Sequence, residues 1–163
     1  MRYFEQLRRT SWQPTFEWLQ DLEAVADRIK SFHEDYPYRV DGTREVLGSF
    51  TEGSTVGFAV PNTLLLDIHR YVFQDQGFAG RWRIGQVRVG PHVPPPSSSL
   101  PVLMWRFEHQ HGMVRTVHAL EDWYFDFETI HPFQDGNGRV GGIIVAASSH
   151  WMEPDKGWYT VGQ

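Results

Sequence analysis

The chain is 163 residues long, 40% hydrophobic and 15% aromatic, which suits one domain with a dense core rather than a disordered segment. Its net charge is −5 and it holds no Lys/Arg block, which disfavours non-specific nucleic-acid binding, since that needs clustered cations to replace counterions. The absence of cysteine rules out a disulfide scaffold and cysteine-ligated zinc.

From Met1 to Trp18 no uninterrupted apolar stretch reads as a signal peptide or membrane span, so a cytoplasmic site is the default expectation. After Pro14, the residues Phe16, Leu19, Leu22, Val25, Ala26, Ile29 and Phe32 recur at three- and four-residue steps, which predicts an amphipathic helix ending near Tyr36-Pro37. Asp41 to Asn62 is rich in Gly, Ser and Thr and reads as loop, or loop with a short helix. A second helix is predicted over Leu64 to Phe73, ending near Gly77.

Gln86 to Val93 begins by alternating apolar and polar residues, as a half-exposed strand does. Pro94 to Pro96 and Ser97 to Ser99 follow. Such a segment is normally a linker, but the halves on either side would be small for separate domains, so a rigid loop within one domain is expected. Pro101 to Phe107 is too short to choose between extended and helical. Val117, Leu120, Tyr124, Phe127 and Ile130 mark a third amphipathic helix that delivers His131 at its end. Ile143 to Trp151 reads as a largely apolar helix, buried on most sides.

Between those two helices stands His131-Pro132-Phe133-Gln134-Asp135-Gly136-Asn137-Gly138-Arg139. A helix N-terminus offers unpaired N–H groups and partial positive charge, which together bind phosphate. Gly136 and Gly138 permit positive φ and close approach of an anion, and Arg139 is a planar multi-donor cation suited to phosphate oxygens. Asp135 is one hard oxygen ligand of the kind Mg²⁺ takes alongside waters and substrate phosphates. His131 can accept a proton from an attacking hydroxyl near neutral pH. A lone histidine at a helix end is usually a cap, and an Asp-Gly-Asn-Gly run is usually a turn. A base, a metal ligand, an anion nest and a cation within one loop are hard to explain as a turn alone.

In this loop the chain resembles the Fic family, whose motif is His-x-Phe-x-Asp/Glu-Gly-Asn-Gly-Arg-x-x-Arg; every position from His131 to Arg139 matches in order and spacing. The approach from Phe127 through Glu128, Thr129 and Ile130 resembles the family's lead-in. Ile68-His69-Arg70 and Ala79-Gly80-Arg81-Trp82-Arg83 resemble its middle segment, so the likeness covers about residues 64 to 150. It implies a mainly α fold, a Fic-type helical bundle with a small β-hairpin flap near Gln86 to Val93. Residues 1–163 would form a single Fic-like domain, with an N-terminal helix and inhibitory segment over 1–63, a core over 64–152 and a short tail over 153–163. The activity implied is Mg²⁺-dependent transfer of AMP from ATP to a Ser, Thr or Tyr hydroxyl of a target protein docked on the flap by strand addition. His131 would be the base, Asp135 the Mg²⁺ ligand, Gly136, Asn137, Gly138 and Arg139 the phosphate cradle, and Phe133 the anchor of the loop.

Other readings carry less. Gly136-x-Gly138-x-x-Gly141 satisfies the dinucleotide-binding pattern, but a helix precedes it, and the chain is expected to end too soon for a strand after the next helix. His109-x-His111 lacks supporting ligands and reads as a solvated loop pair.

The resemblance breaks at Gly142, where the motif has its second arginine, which grips the distal phosphates in adenylylating members. Doc-type relatives also lack it and act as kinases, so a protein phosphotransferase stays open, as does a weak or inactive Fic-fold peptide-binding module. Gly48 to Gly53 resembles the family's inhibitory motif through Glu52 and Gly53, with Gly48 where a Ser or Thr is usual; Glu52 would then lack its arginine partner. The apolar final helix needs cover from the N-terminal helix or a second subunit, which leaves a homodimer open.

Overall fold

Pro61, extended at φ −67°, leads into the first long helix of a computed structural model that describes residues 7–10, 24–29, 31, 59–114, 116–152 and 158–161. Proline fits there because the first turn of a helix has no use for its missing N–H. The helix, α1 (Asn62–Val72), buries Leu64, Leu65, Ile68 and His69 along one stripe. A 3₁₀ turn over Ser97–Ser99 feeds α2 (Leu100–Gln110), which buries Leu100, Met104 and Phe107. The proline triplet and serines therefore join elements of one core, and the segment too short to assign is helical. Thr116 caps α3 (Val117–Ile130), its side chain accepting from the Ala119 N–H at 3.0 Å. Leu120, Trp123, Tyr124 and Phe127 form the buried face of α3. The last helix, α4 (Asn137–Met152), buries Val140, Ile143, Ile144, Val145, Ala146 and Ala147, as its apolar sequence predicts.

The expected mainly α architecture is borne out. Residues 24–29 are helical, and Val25 and Ile29 join the same core as α1, α2, α3 and α4. Arg28 pairs with Asp67 of α1 at 2.7 Å and lies over the Tyr71 ring. The other residues of the predicted N-terminal stripe, Phe16, Leu19, Leu22 and Phe32, lie outside the described residues, as do Glu52 and Gly53.

Three expectations need correction. Gln86 to Val93 is not a strand but an extended segment closed by a single antiparallel bridge, Val89 to His92, with mutual N–H···O bonds of 3.0 and 2.9 Å. Gly90 turns at φ 57°, Pro91 has no N–H to pair, and the Gln86 and Arg88 side chains bond backbone carbonyls where a ladder would need strand partners. A strand does follow α4: β1 (Leu7–Thr10) and β2 (Trp158–Val161) pair antiparallel, Leu7 opposite Val161, and β2 lies beside α4. The dinucleotide reading still fails, because α3 and not a strand leads into the glycines, and the pairing is antiparallel rather than a βαβ unit. His109 lies in the last turn of α2, and His111 is not solvated: its ring meets Asp126 at 2.7 Å and is 8% exposed.

Arg83 ties the irregular segment to the end of α3. It is 3% exposed, and burial pulls its pKa down. Its guanidinium donates to four carbonyls: His131 at 2.7 Å, Ile130 at 3.2 Å, Gly85 at 3.1 Å, and Pro95. Its own N–H donates to Pro132 O at 2.8 Å. Arg83→Met strands these acceptors and should cost about 3 kcal/mol or more in urea unfolding. Arg83→Lys, with a compact point charge in place of a planar fork, should recover only part of the loss. Wild-type stability in Arg83→Met would show that the fork is dispensable.

Candidate active site

Pro132 disfavours the αR region at His131, so α3 must stop there. His131 takes φ 52°, ψ 63°, the left-handed conformation, which is uncommon for a side chain other than glycine. It is held by its N–H to Phe127 O at 2.9 Å and by Arg83 Nε on its carbonyl. Phe133 then plunges into the core, fully buried, with its ring stacked on His69 at 3.8 Å and 5°. The expected anchoring role of Phe133 is matched by this packing.

His69 fastens the middle of the loop. Its Nδ1 accepts from the Gly80 N–H at 2.9 Å, so the proton sits on Nε2, which donates to the Asp135 carbonyl at 3.0 Å. Asn137 closes the turn from the other side: its Oδ1 accepts from Phe133 N–H at 2.9 Å and its Nδ2 donates to Phe133 O at 2.7 Å. Gly136 has φ 81°, and a Cβ there would stand 2.2 Å from the Phe73 ring, so both backbone and space demand glycine. The buried Asn137 is thus a scaffold for the loop.

These constraints open a cavity of about 600 Å³ lined by Phe73, Val87, Arg88, His131, Gln134, Asp135 and Gly136 to Arg139. That volume lies within the common range for small-molecule sites. The sequence-singled His131, Asp135, Gly136, Asn137, Gly138 and Arg139 all meet there, at the N-terminus of α4. Arg139 lies over the Phe73 ring at 5.5 Å. Asp135 is exposed, one carboxylate oxygen accepting from Gly136 N–H at 2.8 Å. Among the described residues no group of three or more His, Cys, Asp or Glu side chains is placed to hold a metal ion. Gly142 lies farther along α4, and an added Cβ would meet nothing within 4 Å.

Burial lowers the pKa of His131, the Glu128 carbonyl bond raises it, and the charges of Arg83 and His92 lower it again, so the ring is neutral near pH 7. Its Nδ1 stands 3.3 Å from Glu128 O, which places the N–H on that side and leaves Nε2 as the basic nitrogen. Sequence reasoning gave no role to Arg83, His69, Phe73, Arg88 or Glu128. Each matters through a partner distant in sequence or through burial, neither of which a local pattern displays.

Burial also lowers the pKa of His69 below the ordinary 6.5, against a smaller upward pull from Asp135. The unfolded chain therefore binds a proton that the folded ring resists, and stability from His69 is lost as pH falls from 6.5 through the folded pKa. The unfolding free-energy gap between wild type and His69→Gln should be widest above pH 6.5 and narrow below it. A gap that stays constant from pH 8 to 5 would contradict the neutral, doubly bonded ring.

Comparison with known proteins gives a family model described as "Fic/DOC family" that matches residues 59–147, more than half of the chain. Curated relatives named "Protein adenylyltransferase Fic" include those of Drosophila mojavensis, 36% identical over 88 residues, and Culex quinquefasciatus, 38% identical over 88 residues. Each match covers 50% of this chain and 18% of the relative, so the chain spans less than a fifth of these proteins' length. Among solved structures, a Fic-domain-containing signalling protein from Bacteroides thetaiotaomicron superposes with a TM-score of 0.55 at 16% identity, covering 87% of this chain and 52% of its own. With the family model matched across its core and its loop, the chain belongs to the Fic/DOC family.

Proposed function

We propose that this domain transfers AMP from ATP to a hydroxyl side chain of another protein. The observation that carries the reading is the cavity itself, where a neutral His131 faces the N-terminus of α4 across Asp135 and Arg139. The names of the relatives support it. In the proposed step, His131 Nε2 takes the hydroxyl proton as the oxygen attacks the α-phosphorus, and the bond to the leaving diphosphate breaks. The N–H groups opening α4 and the Arg139 guanidinium stabilise the charge that develops on the phosphate oxygens. Asp135 fits Mg²⁺ by donor chemistry, a single exposed carboxylate beside a phosphate nest; the ion, when bound, neutralises phosphate charge. Val87 and Arg88, on the rim, are where the target segment would lie.

A second reading, phosphoryl transfer of Doc type, is favoured by one feature, Gly142 in place of the second arginine. Full-chain protein incubated with Mg²⁺ and ATP labelled at the α- or γ-phosphorus separates the two. We expect α-label on the target or on the protein itself, lost at least ~10²-fold in His131→Ala. Transfer of γ-label would replace AMP transfer with kinase chemistry, and undiminished labelling by His131→Ala would remove the base.

Gly142 also makes a graded prediction. Its open surroundings admit an arginine without a clash, and replacing an interior helical glycine favours the helix. Gly142→Arg should tighten ATP binding ~10-fold or more, the worth of one charged hydrogen bond to the distal phosphates. Calorimetry showing equal affinity would place residue 142 out of reach of the nucleotide.

A further inference from the structure

Glu128 is 4% exposed, and its Oε1 has no hydrogen-bond partner. Its Oε2 stands 3.7 Å from His131 Nδ1, one turn further along the same helix end. Helix α4 presses on it from above: a Cβ at Gly141 would lie 3.2 Å from Glu128 Oε1 and 3.0 Å from the Phe127 ring. A carboxyl so placed is costly to keep unpaired, and a plain packing role would be served better by an apolar side chain. Among the described residues its ion-pair partner is the ring that the proposed reaction must charge.

We propose that Glu128 is a positioning residue that acts through His131, holding Nδ1 as the N–H side of the ring and supplying the negative charge against which the imidazolium forms. This rests on His131 being the base. As the hydroxyl O–H bond breaks and its proton moves to Nε2, positive charge spreads to Nδ1, where it meets the Glu128 carboxyl and the Glu128 carbonyl oxygen together. Apo contacts of this kind are commonly long and shorten when charge develops.

The other charged and titratable groups around the pair argue for such a counterweight. Arg83 and His92, from the segment packed on the end of α3, both discourage a proton on His131. Tyr124, on the same helix, is held in its phenol form by burial and by Glu128. Arg88 and Arg139 line the cavity with a further positive charge each, and Asp135 is the carboxylate that lines it. Burial raises Glu128 to about 7, so it changes charge near neutral pH, where His131 must work.

The test follows the His131 ring by NMR in full-chain protein labelled with ¹⁵N-histidine, across pH 5 to 9, with His131→Ala identifying its signals. In wild type we expect two steps, one near pH 7 as Glu128 ionises and one below pH 6.5 as the ring protonates. Glu128→Gln should abolish the upper step. It should also lower AMP transfer at least ~10-fold at unchanged KM for ATP, part of the ~10²–10⁴-fold that a general base contributes. Glu128→Asp, which keeps the charge but withdraws it, should restore some of both. A single step in wild type, or the same two steps in Glu128→Gln, overturns the coupling whether or not the protein is active. If Glu128→Gln fails to fold, the wild-type titration alone decides. Loss of the base reading shows separately, as unchanged transfer by His131→Ala.

Discussion

The arrangement depends on one buried guanidinium. Arg83 reaches from an irregular stretch to the carbonyls of Ile130 and His131 at the end of α3, and its backbone N–H takes Pro132. The last carbonyls of a helix lack partners within it, and burying them bare is expensive. A planar five-donor fork satisfies several at once while holding Gly85 and Pro95 on the other side. Without it, the segment from Arg83 to Pro95 would lose most of its hold on the end of α3, although the His92 ring also meets Thr129 O at 2.9 Å.

From that anchor the loop follows by short steps. His131 is carried into the left-handed region, Phe133 is stacked on a neutral His69, and Asn137 bonds Phe133 in both directions. Each contact fixes a backbone position, and the groups left to line the cavity include His131, Asp135, Arg139 and the opening residues of α4. For the proposed reaction, holding His131, the start of α4 and Arg139 on a rigid core would limit reorganisation as charge develops, which is where electrostatic catalysis gains most. Gly142 is where the chain departs from the family motif, which has an arginine at that position.

How much of this is legible in sequence depends on the range of the cause. The helices over Leu64 to Phe73 and Val117 to Ile130 are readable because a stripe of apolar residues determines them locally. The loop from His131 to Arg139 is readable for the same reason: Gly136, Asn137 and Pro132 do their work within a few residues. Arg83 is not, for nothing distinguishes it from its neighbours Arg81 and Arg88 until the fold buries it. The β1–β2 ribbon pairs residues from opposite ends of the chain, and the Leu-Arg-Arg-Thr run of β1 carries no strand pattern of its own. The apparent strand at Gln86 fails because Gly90 and Pro91 override a short alternation. Glu128 falls within a recognisable lead-in, yet its raised pKa arises from α4 lying over it.

The proposal at the centre of this reading is a nucleoside triphosphate site at the N-terminus of α4, completed by a divalent cation on Asp135. Calorimetric titration of ATP into the full chain with and without Mg²⁺ tests it most directly. The account predicts saturable binding that needs Mg²⁺ and weakens by about tenfold or more in Arg139→Ala, the loss expected for one charged hydrogen bond. Absence of binding with Mg²⁺ present, or binding indifferent to both the ion and Arg139, would contradict it.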